Sequence, residues 1–267
     1  MWFRQRRRRK LKAQPFPDAW REMLRMRMPA YTALCPADRA ELEGHIQVFI
    51  AEKYFEGCNG MRITDEVRVL IAAQACVLLL HRDPEYFPGL RSVLVYPDTF
   101  QGAGKSIGPG GMVVESLGWR GGGSWHTPGS GGPVVLSWSE VVAGAAGVDD
   151  GRNVVYHEFA HQLDGESGWV EGMPALEPAA AAEWKRVMTD QFQAHARAVW
   201  AGLPTEIGGY GATSPAEFFA VSTEKFFERG AALRASNPEV YRLLAAYYQQ
   251  DPAAGRCGMA GVSCGAA

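Results

Sequence analysis

Two histidines four residues apart, His157 and His161, enclose a glutamate in the stretch VVYHEFAHQLDGES, residues 154–167. On a helix, positions i and i+4 lie one above the other, so both imidazoles point the same way and can share one zinc ion. Glu158 directly follows the first histidine, where its carboxylate can take a proton from a water at that ion without being a ligand itself. The pattern therefore predicts metal-dependent hydrolysis.

The structural alternative is an ordinary helix that carries two histidines by chance. Composition alone gives HExxH in roughly one chain in a hundred of this length and histidine content. The surrounding residues favour the catalytic interpretation, because Val155, Phe159 and Leu163 form an apolar side that would fix the helix in a core.

Catalytic zinc needs three protein ligands, and the third must come from downstream. Glu183 follows His161 by 22 residues, near the spacing of thermolysin-like enzymes. Glu217 and Glu224 are seven residues apart, on roughly one face of a predicted helix. Glu217 has a second interpretation, because Ser214 and Glu217 form a helix-capping box, S-x-x-E. Spacing alone favours Glu217 and Glu183 equally, with Glu224 behind.

Two segments carry a family resemblance: VVYHEFAHQLDGESG and YGATSPAEFFAVSTEKFFE. They resemble the Mlc titration factor A family of bacterial zinc metallopeptidases, whose catalytic core is similar to the anthrax lethal factor protease domain. The resemblance implies zinc as the cofactor and Glu158 as the general base. It implies that Tyr210 donates its hydroxyl to the tetrahedral oxyanion. The zinc ligands that it implies are His157, His161 and Glu217.

Three functions follow from these residues. The first is a zinc peptidase that hydrolyses peptide bonds; the resemblance implies that it is aminopeptidase-like, and the residues alone do not distinguish exopeptidase from endopeptidase. The second, also implied by the resemblance, is a binding protein that sequesters an Mlc-type transcription repressor, which controls glucose phosphotransferase uptake. The third is a zinc hydrolase of esters or other amides. A protein that only binds would be expected to lose Glu158 or Tyr210, and both are present.

Further expectations concern the surroundings of the site. Asp164 is expected either to accept the N–H of a ligand imidazole or to lie on the surface near a helix end. The run PVVLSW is expected as a strand, and as an edge strand it would pair with an extended peptide. The glycine-rich residues 101–133 predict a hairpin or meander, with His126 as an exposed loop residue.

The elements that must position the site predict an α+β fold, a mainly helical zincin-type metalloprotease domain with a small mixed sheet and an N-terminal helical extension. Thr64 is expected to cap a helix, and SVLVYP predicts a strand. We predict four parts: a basic disordered tail (1–14), a helical part (15–88), the catalytic domain (89–250) and a flexible C-terminal tail (251–267).

Charge and composition exclude several function classes. Seven of the 27 basic residues lie in the first twelve positions, so the rest of the chain is acidic and a nucleic-acid groove there is not expected. The basic block is expected to be solvated, with anionic lipid or nucleic acid as alternative partners. No apolar run is long enough to cross a bilayer. Five scattered cysteines without an export signal predict reduced thiols and a cytoplasmic protein.

Overall fold

The computed structural model describes the backbone of residues 2–98, 104–107, 113–116, 122–127, 130–147, 150–167 and 170–254. Side chains are described for the same residues, except 104–131 and 167. Helices account for most of this part of the chain. Their bounds are α1 Trp2–Lys12, α2 Asp18–Arg27, α3 Pro29–Thr32, α4 Pro36–Glu52, α5 Asp65–Val77, α6 Trp138–Ala146, α7 Val154–Asp164, α8 Pro178–Trp200, α9 Pro215–Glu228, α10 Gly230–Ser236 and α11 Pro238–Tyr248.

The strands are few and short, so the predicted mainly helical α+β fold is confirmed. Their bounds are β1 Tyr54–Gly57, β2 Ser92–Tyr96, β3 Gly104–Ile107, β4 Val113–Ser116, β5 Gly122–Thr127 and β6 Ser130–Ser137. The main sheet has the order β1-β2-β6-β5, in which β1, β2 and β6 are parallel and β5 is antiparallel to β6. The sheet is therefore small and mixed, and β3 pairs with β4 separately.

The run PVVLSW lies mostly in β6, and of its two interpretations, an ordinary sheet strand and an edge strand, the second is wrong. Val134–Ser137 pair with β2 on one side, and β5 pairs with β6 on the other. Among the described strands, β5 and β1 form the edges of this sheet. Strand alternation in one sequence segment does not show how many neighbours the strand has, which explains the error.

The glycine-rich segment 101–133 contains the antiparallel pair β3–β4, all of β5 and the start of β6. This arrangement agrees with the predicted hairpin or meander, and the rest of that segment lies outside the described residues. The side chain of His126, in β5, also lies outside them.

The predicted disordered tail is wrong for residues 2–12, which form α1. Arg8 is only 2 % exposed and makes a two-pronged pair with Glu52, through Nε at 2.9 Å and Nη2 at 2.9 Å. Its Nη1 lies 3.2 Å from Glu85. These acids are distant in sequence, so the local charge count could not reveal them. The other predicted boundaries stay predictions, and residues 255–267 of the predicted C-terminal tail lie outside the described residues.

The core lies between the sheet and the helices that carry the site. Thr64 caps α5 as predicted, because its hydroxyl accepts the Val67 N–H at 3.4 Å. Phe159 of α7 packs against Phe49 and Phe87, with ring centroids 5.6 and 4.8 Å apart. The apolar side of α7 is thereby fixed in the core, as its sequence predicts.

Among the described helices, none combines the length and apolarity needed to span a membrane.

Candidate active site

The helix α7 is held in place at its first turn by Asn153. The Asn153 side-chain oxygen accepts the Tyr156 N–H at 3.0 Å, which satisfies one of the unpaired donors at the helix start. Its amide nitrogen donates to Gln74 of α5 at 2.9 Å and to Glu228 of α9 at 3.1 Å. One buried residue therefore fixes α7 against two of the helices that pack on it.

Three side chains from α7 and α9 converge on one point. His157 Nε2 lies 3.2 Å from His161 Nε2 and 3.1 Å from Glu217 Oε2, and the distance from His161 Nε2 to Glu217 Oε2 is 3.5 Å. A tetrahedral ion with bonds of the length found for zinc would separate its ligand atoms by about 3.3 Å. The distances and the donor set both fit such an ion, so these residues can hold a metal.

The rival ligand candidates lie elsewhere. Glu183 is half exposed, and its carboxylate pairs with Arg242 at 2.8 Å on the surface. Glu224 is buried and lies on the far side of His157, where its Oε1 is 2.8 Å from Nδ1 rather than Nε2. Of the three glutamates weighed from spacing, Glu217 alone brings a carboxylate to the Nε2 atoms of both histidines.

Glu224 sets the orientation of His157. Its second oxygen accepts the backbone N–H of Asn153 at 2.7 Å, so both carboxylate oxygens are engaged. A carboxylate at Nδ1 keeps the proton on that nitrogen and leaves the Nε2 lone pair for a metal. Burial lowers the pKa of His157, but Glu217 at Nε2 and Glu224 at Nδ1 together raise it to about 10. In the absence of metal the ring is therefore a charged imidazolium between two carboxylates. Sequence reasoning weighed Glu224 only as a ligand.

Glu217 is placed for both roles that the sequence suggests for it, helix capping and metal binding. Its backbone N–H donates to Ser214 Oγ at 3.2 Å, which is the cap that the S-x-x-E pattern predicts. Its side chain faces His157 and His161. Although burial raises the pKa of Glu217, the two histidines facing its carboxylate lower it well below the ordinary value. The carboxylate is therefore charged and available as a ligand.

Glu158 and Tyr210 both lie near His157. Glu158 is 3 % exposed and follows His157 directly in α7. The Tyr210 ring lies 5.8 Å from the His157 ring. Burial, followed by the nearby charges of Glu217 and Glu158, raises the pKa of Tyr210 far above its ordinary value. Tyr210 therefore keeps its proton at neutral pH and can donate a hydrogen bond.

Asp164 is fully buried, and it supports the loop that precedes the long helix α8. Its oxygens accept the backbone N–H groups of Glu171, Gly172 and Met173 at 3.3, 2.8 and 2.7 Å. His161 Nδ1 has no hydrogen-bond partner among the described residues, so the imidazole contact expected of Asp164 is not made there. Gly172 has φ of +78°, and a Cβ at this position would lie 2.4 Å from the Pro215 carbonyl oxygen. The loop thus packs directly against the start of α9, close to Glu217.

A second cluster of ligand-type residues contains Asp38, Glu41 and His81. His81 Nε2 lies 2.8 Å from Asp38, its Nδ1 lies 2.9 Å from the Gln249 carbonyl oxygen, and its backbone N–H donates to Glu41 at 3.0 Å. These are hydrogen-bond distances, and the groups satisfy one another without an ion. The cluster therefore ties the last part of the described chain to α4.

A cavity of about 800 Å³ is bounded by Tyr210 and Glu224, and His157, His161 and Glu217 are not among the residues that line it. Carboxylates outnumber cations in its wall, so its surface is polar with an acidic surplus. The other charged lining residues are Glu140, Asp150, Glu206, Arg152 and Lys225.

Comparison with known proteins places this arrangement in a family. An uncharacterized protein of Synechocystis sp. is 40 % identical over 248 residues, which cover 92 % of this chain and 89 % of that protein. Mlc titration factor A of Klebsiella pneumoniae is 28 % identical over 237 residues, covering 87 % and 86 %. Mlc titration factor A of Escherichia coli is 27 % identical over 237 residues, which again cover 87 % of this chain and 86 % of that protein. The sequence model described as glucose-regulated metallo-peptidase M90 matches residues 2–249. The chain therefore belongs to the glucose-regulated metallo-peptidase M90 family.

Proposed function

We propose that this protein is a zinc-dependent, aminopeptidase-like metallopeptidase. Membership of a metallo-peptidase family implies a metal ion. The observation that carries the proposal is the convergence of His157, His161 and Glu217 within 4.8 Å of one another. Two imidazoles and one carboxylate form the ligand set of several catalytic zinc sites and leave a fourth position open.

When bound, zinc supplies a Lewis acid that polarises a carbonyl and lowers the pKa of water towards about 7. The protein supplies the rest. Glu158, buried beside the ligands, accepts the proton of the attacking water and later returns a proton to the leaving amine. Tyr210 donates its hydroxyl hydrogen to the oxygen that gains negative charge as the carbonyl is attacked. Glu224 holds His157 in the tautomer that leaves Nε2 free for zinc.

The cavity that Tyr210 borders is consistent with a substrate that has a free amino terminus. Its volume of about 800 Å³ admits more than one amino-acid residue, and Tyr210 forms part of its wall. A positively charged α-amine is favoured by the wall carboxylates Glu140 and Asp150, whereas Glu206 is already paired with Arg229 at 3.3 Å. The same wall would not favour the free carboxylate that a carboxypeptidase must bind.

Hydrolysis of amino-acid p-nitroanilides tests the proposal. Zinc-loaded wild-type protein is expected to release p-nitroaniline, and Glu158→Gln is expected to keep its zinc and lose hydrolysis. Substrates with a blocked amino group, such as N-acetyl amino-acid p-nitroanilides, should be poor substrates. Equal hydrolysis of free and blocked substrates would retain the peptidase and refute the aminopeptidase preference, whereas unchanged activity in Glu158→Gln would refute the mechanism.

A second proposed function is binding of an Mlc-type transcription repressor, and the name Mlc titration factor A, borne by the Klebsiella pneumoniae and Escherichia coli relatives, favours it. This function is compatible with hydrolysis. Mixing the protein with a purified Mlc-type repressor, in calorimetry, tests it directly. Binding that persists in Glu158→Gln would separate sequestration from catalysis, and absence of binding would contradict this second function.

A further inference from the structure

The helix α1 presents two opposite faces of different character. At 100° per residue, Arg4, Arg8 and Leu11 fall on one side of the helix, and Trp2, Arg6 and Lys10 fall on the other. Phe3 lies on the second side as well, since it precedes Lys10 by seven residues. On the first side Arg8 is buried and Leu11 is half-buried, whereas Trp2, Phe3, Arg6 and Lys10 are all exposed.

The inner face fixes α1 along α4. Arg4 Nη2 lies 3.0 Å from Glu52 Oε2 near the end of α4, and Arg8 pairs with the same carboxylate. At the other end of α1, the Lys12 side chain lies beside Gly44, two turns earlier in α4. The two helices are therefore antiparallel, and α1 lies lengthwise on the surface of the protein.

The outer face, defined as Trp2, Phe3, Arg6, Arg9 and Lys10, combines aromatic rings with cations. Trp2 is 61 % exposed and Phe3 is 80 % exposed, with their ring centroids 5.2 Å apart. The Arg6 guanidinium lies 5.6 Å from the Trp2 ring, and Arg6, Arg9 and Lys10 are all exposed. Two large apolar side chains next to each other on the surface are unusual for a position without a partner.

We propose that the outer face of α1 binds the surface of an anionic phospholipid bilayer. A helix of this length, about 16 Å, lies in the plane of the interface rather than across the bilayer. Its aromatic rings enter the boundary between headgroups and acyl chains, while arginine and lysine pair with anionic headgroups. Since the inner face stays paired with Glu52 and Glu85, α1 can bind lipid without leaving the protein.

Charge argues against a second copy of the chain as the partner. Two outer faces brought together would place Arg6, Arg9 and Lys10 of one copy next to the same cations of the other, and these like charges repel. Nucleic acid shares the negative charge of lipid, but its backbone contacts need only cations. The exposed Trp2–Phe3 pair therefore favours lipid, and the test must separate the two.

Co-sedimentation of the full chain with lipid vesicles tests the proposal. Wild-type protein is expected to bind phosphatidylcholine vesicles that contain about 30 % phosphatidylglycerol, and to bind pure phosphatidylcholine far less. High salt should weaken this binding. Each basic residue near such a surface contributes a factor of about five, so Arg6→Glu/Lys10→Glu should weaken it at least about 25-fold. Trp2→Ala/Phe3→Ala should weaken it as well.

Matched controls carry the same changes away from α1. Trp200→Ala removes another exposed aromatic ring, 80 % exposed, and Arg25→Glu/Arg186→Glu reverses two other exposed charges. Both are expected to bind vesicles like wild type, and all variants should keep the wild-type circular dichroism spectrum. Failure of wild type to bind anionic vesicles would overturn the proposal. Tighter binding to a DNA duplex than to vesicles, insensitive to Trp2→Ala/Phe3→Ala, would overturn it in favour of nucleic acid.

Discussion

Replacing Glu224 by glutamine tests whether a buried carboxylate behind His157 controls metal binding. Glu224 is 1 % exposed, and its two oxygens face two donors, the His157 Nδ1–H and the Asn153 N–H. Glutamine keeps the shape but offers one oxygen and one amide NH₂ group. Whichever way the amide turns, one donor of the protein faces an NH₂ group.

Both orientations weaken the site. If the amide NH₂ faces Nδ1 of His157, the ring is driven to the tautomer that carries its proton on Nε2, which opposes metal binding. If it faces Asn153, the start of α7 keeps an unsatisfied buried N–H, at a cost of about 1–3 kcal/mol. Loss of a partner of this kind lowers metal affinity by about 10- to 100-fold, which is about 1.4–2.7 kcal/mol.

Competition for zinc with a chromophoric chelator measures this affinity. The control is Glu183→Gln, which changes an exposed glutamate paired with Arg242 and should leave zinc affinity unchanged. An affinity of Glu224→Gln within a factor of about three of wild type would refute the reasoning that Glu224 fixes the His157 tautomer.

Three further predictions concern Tyr210, α1 and the loop before α8. Tyr210→Phe should lower kcat about 100- to 1,000-fold with zinc content unchanged, since it removes one oxyanion donor; an unchanged kcat in steady-state assays would contradict that role. Burial raises the pKa of Glu52, but Arg8 and Arg4 lower it to about 2. The charged carboxylate therefore stabilises the fold at pH values above its unfolded pKa, near 4.5, and this stabilisation is lost as the pH falls towards 2. Arg8→Met should therefore destabilise the protein by about 3–5 kcal/mol near neutral pH in urea unfolding, and the difference from wild type should narrow as pH falls from about 5 to 2; a constant difference would argue against the ion pair. Gly172→Ala should lower the free energy of unfolding by about 1–3 kcal/mol, because the added Cβ meets the Pro215 carbonyl oxygen and φ is positive; an unchanged melting temperature would show that the loop does not pack there.

Local patterns predicted the features that depend on neighbours in sequence. The caps at Thr64 and Ser214 follow from residue type and spacing within one helical turn, and the structure has both. The shared orientation of His157 and His161 follows from the i, i+4 spacing in the same way. Their ring nitrogens lie 3.2 Å apart.

Features that depend on distant residues were not predictable from one sequence. Glu217 and Glu224 lie on one face of α9, and only the packing of α9 against α7 places one carboxylate at Nε2 and the other at Nδ1 of His157. Asp164 accepts three backbone N–H groups from a loop that has no sequence signal for this contact. Isolated charge runs are typical of solvated tails, so the burial of Arg8 against acids 44 and 77 positions away was missed.

The metal content of the purified protein tests the central claim most directly. The account predicts one zinc per chain in wild type and in Glu183→Ala, and its loss in Glu217→Ala, measured by elemental analysis after dialysis. Zinc retained at full stoichiometry in Glu217→Ala, or no metal in the wild-type protein after zinc loading, would contradict the assignment of His157, His161 and Glu217 as a catalytic metal site.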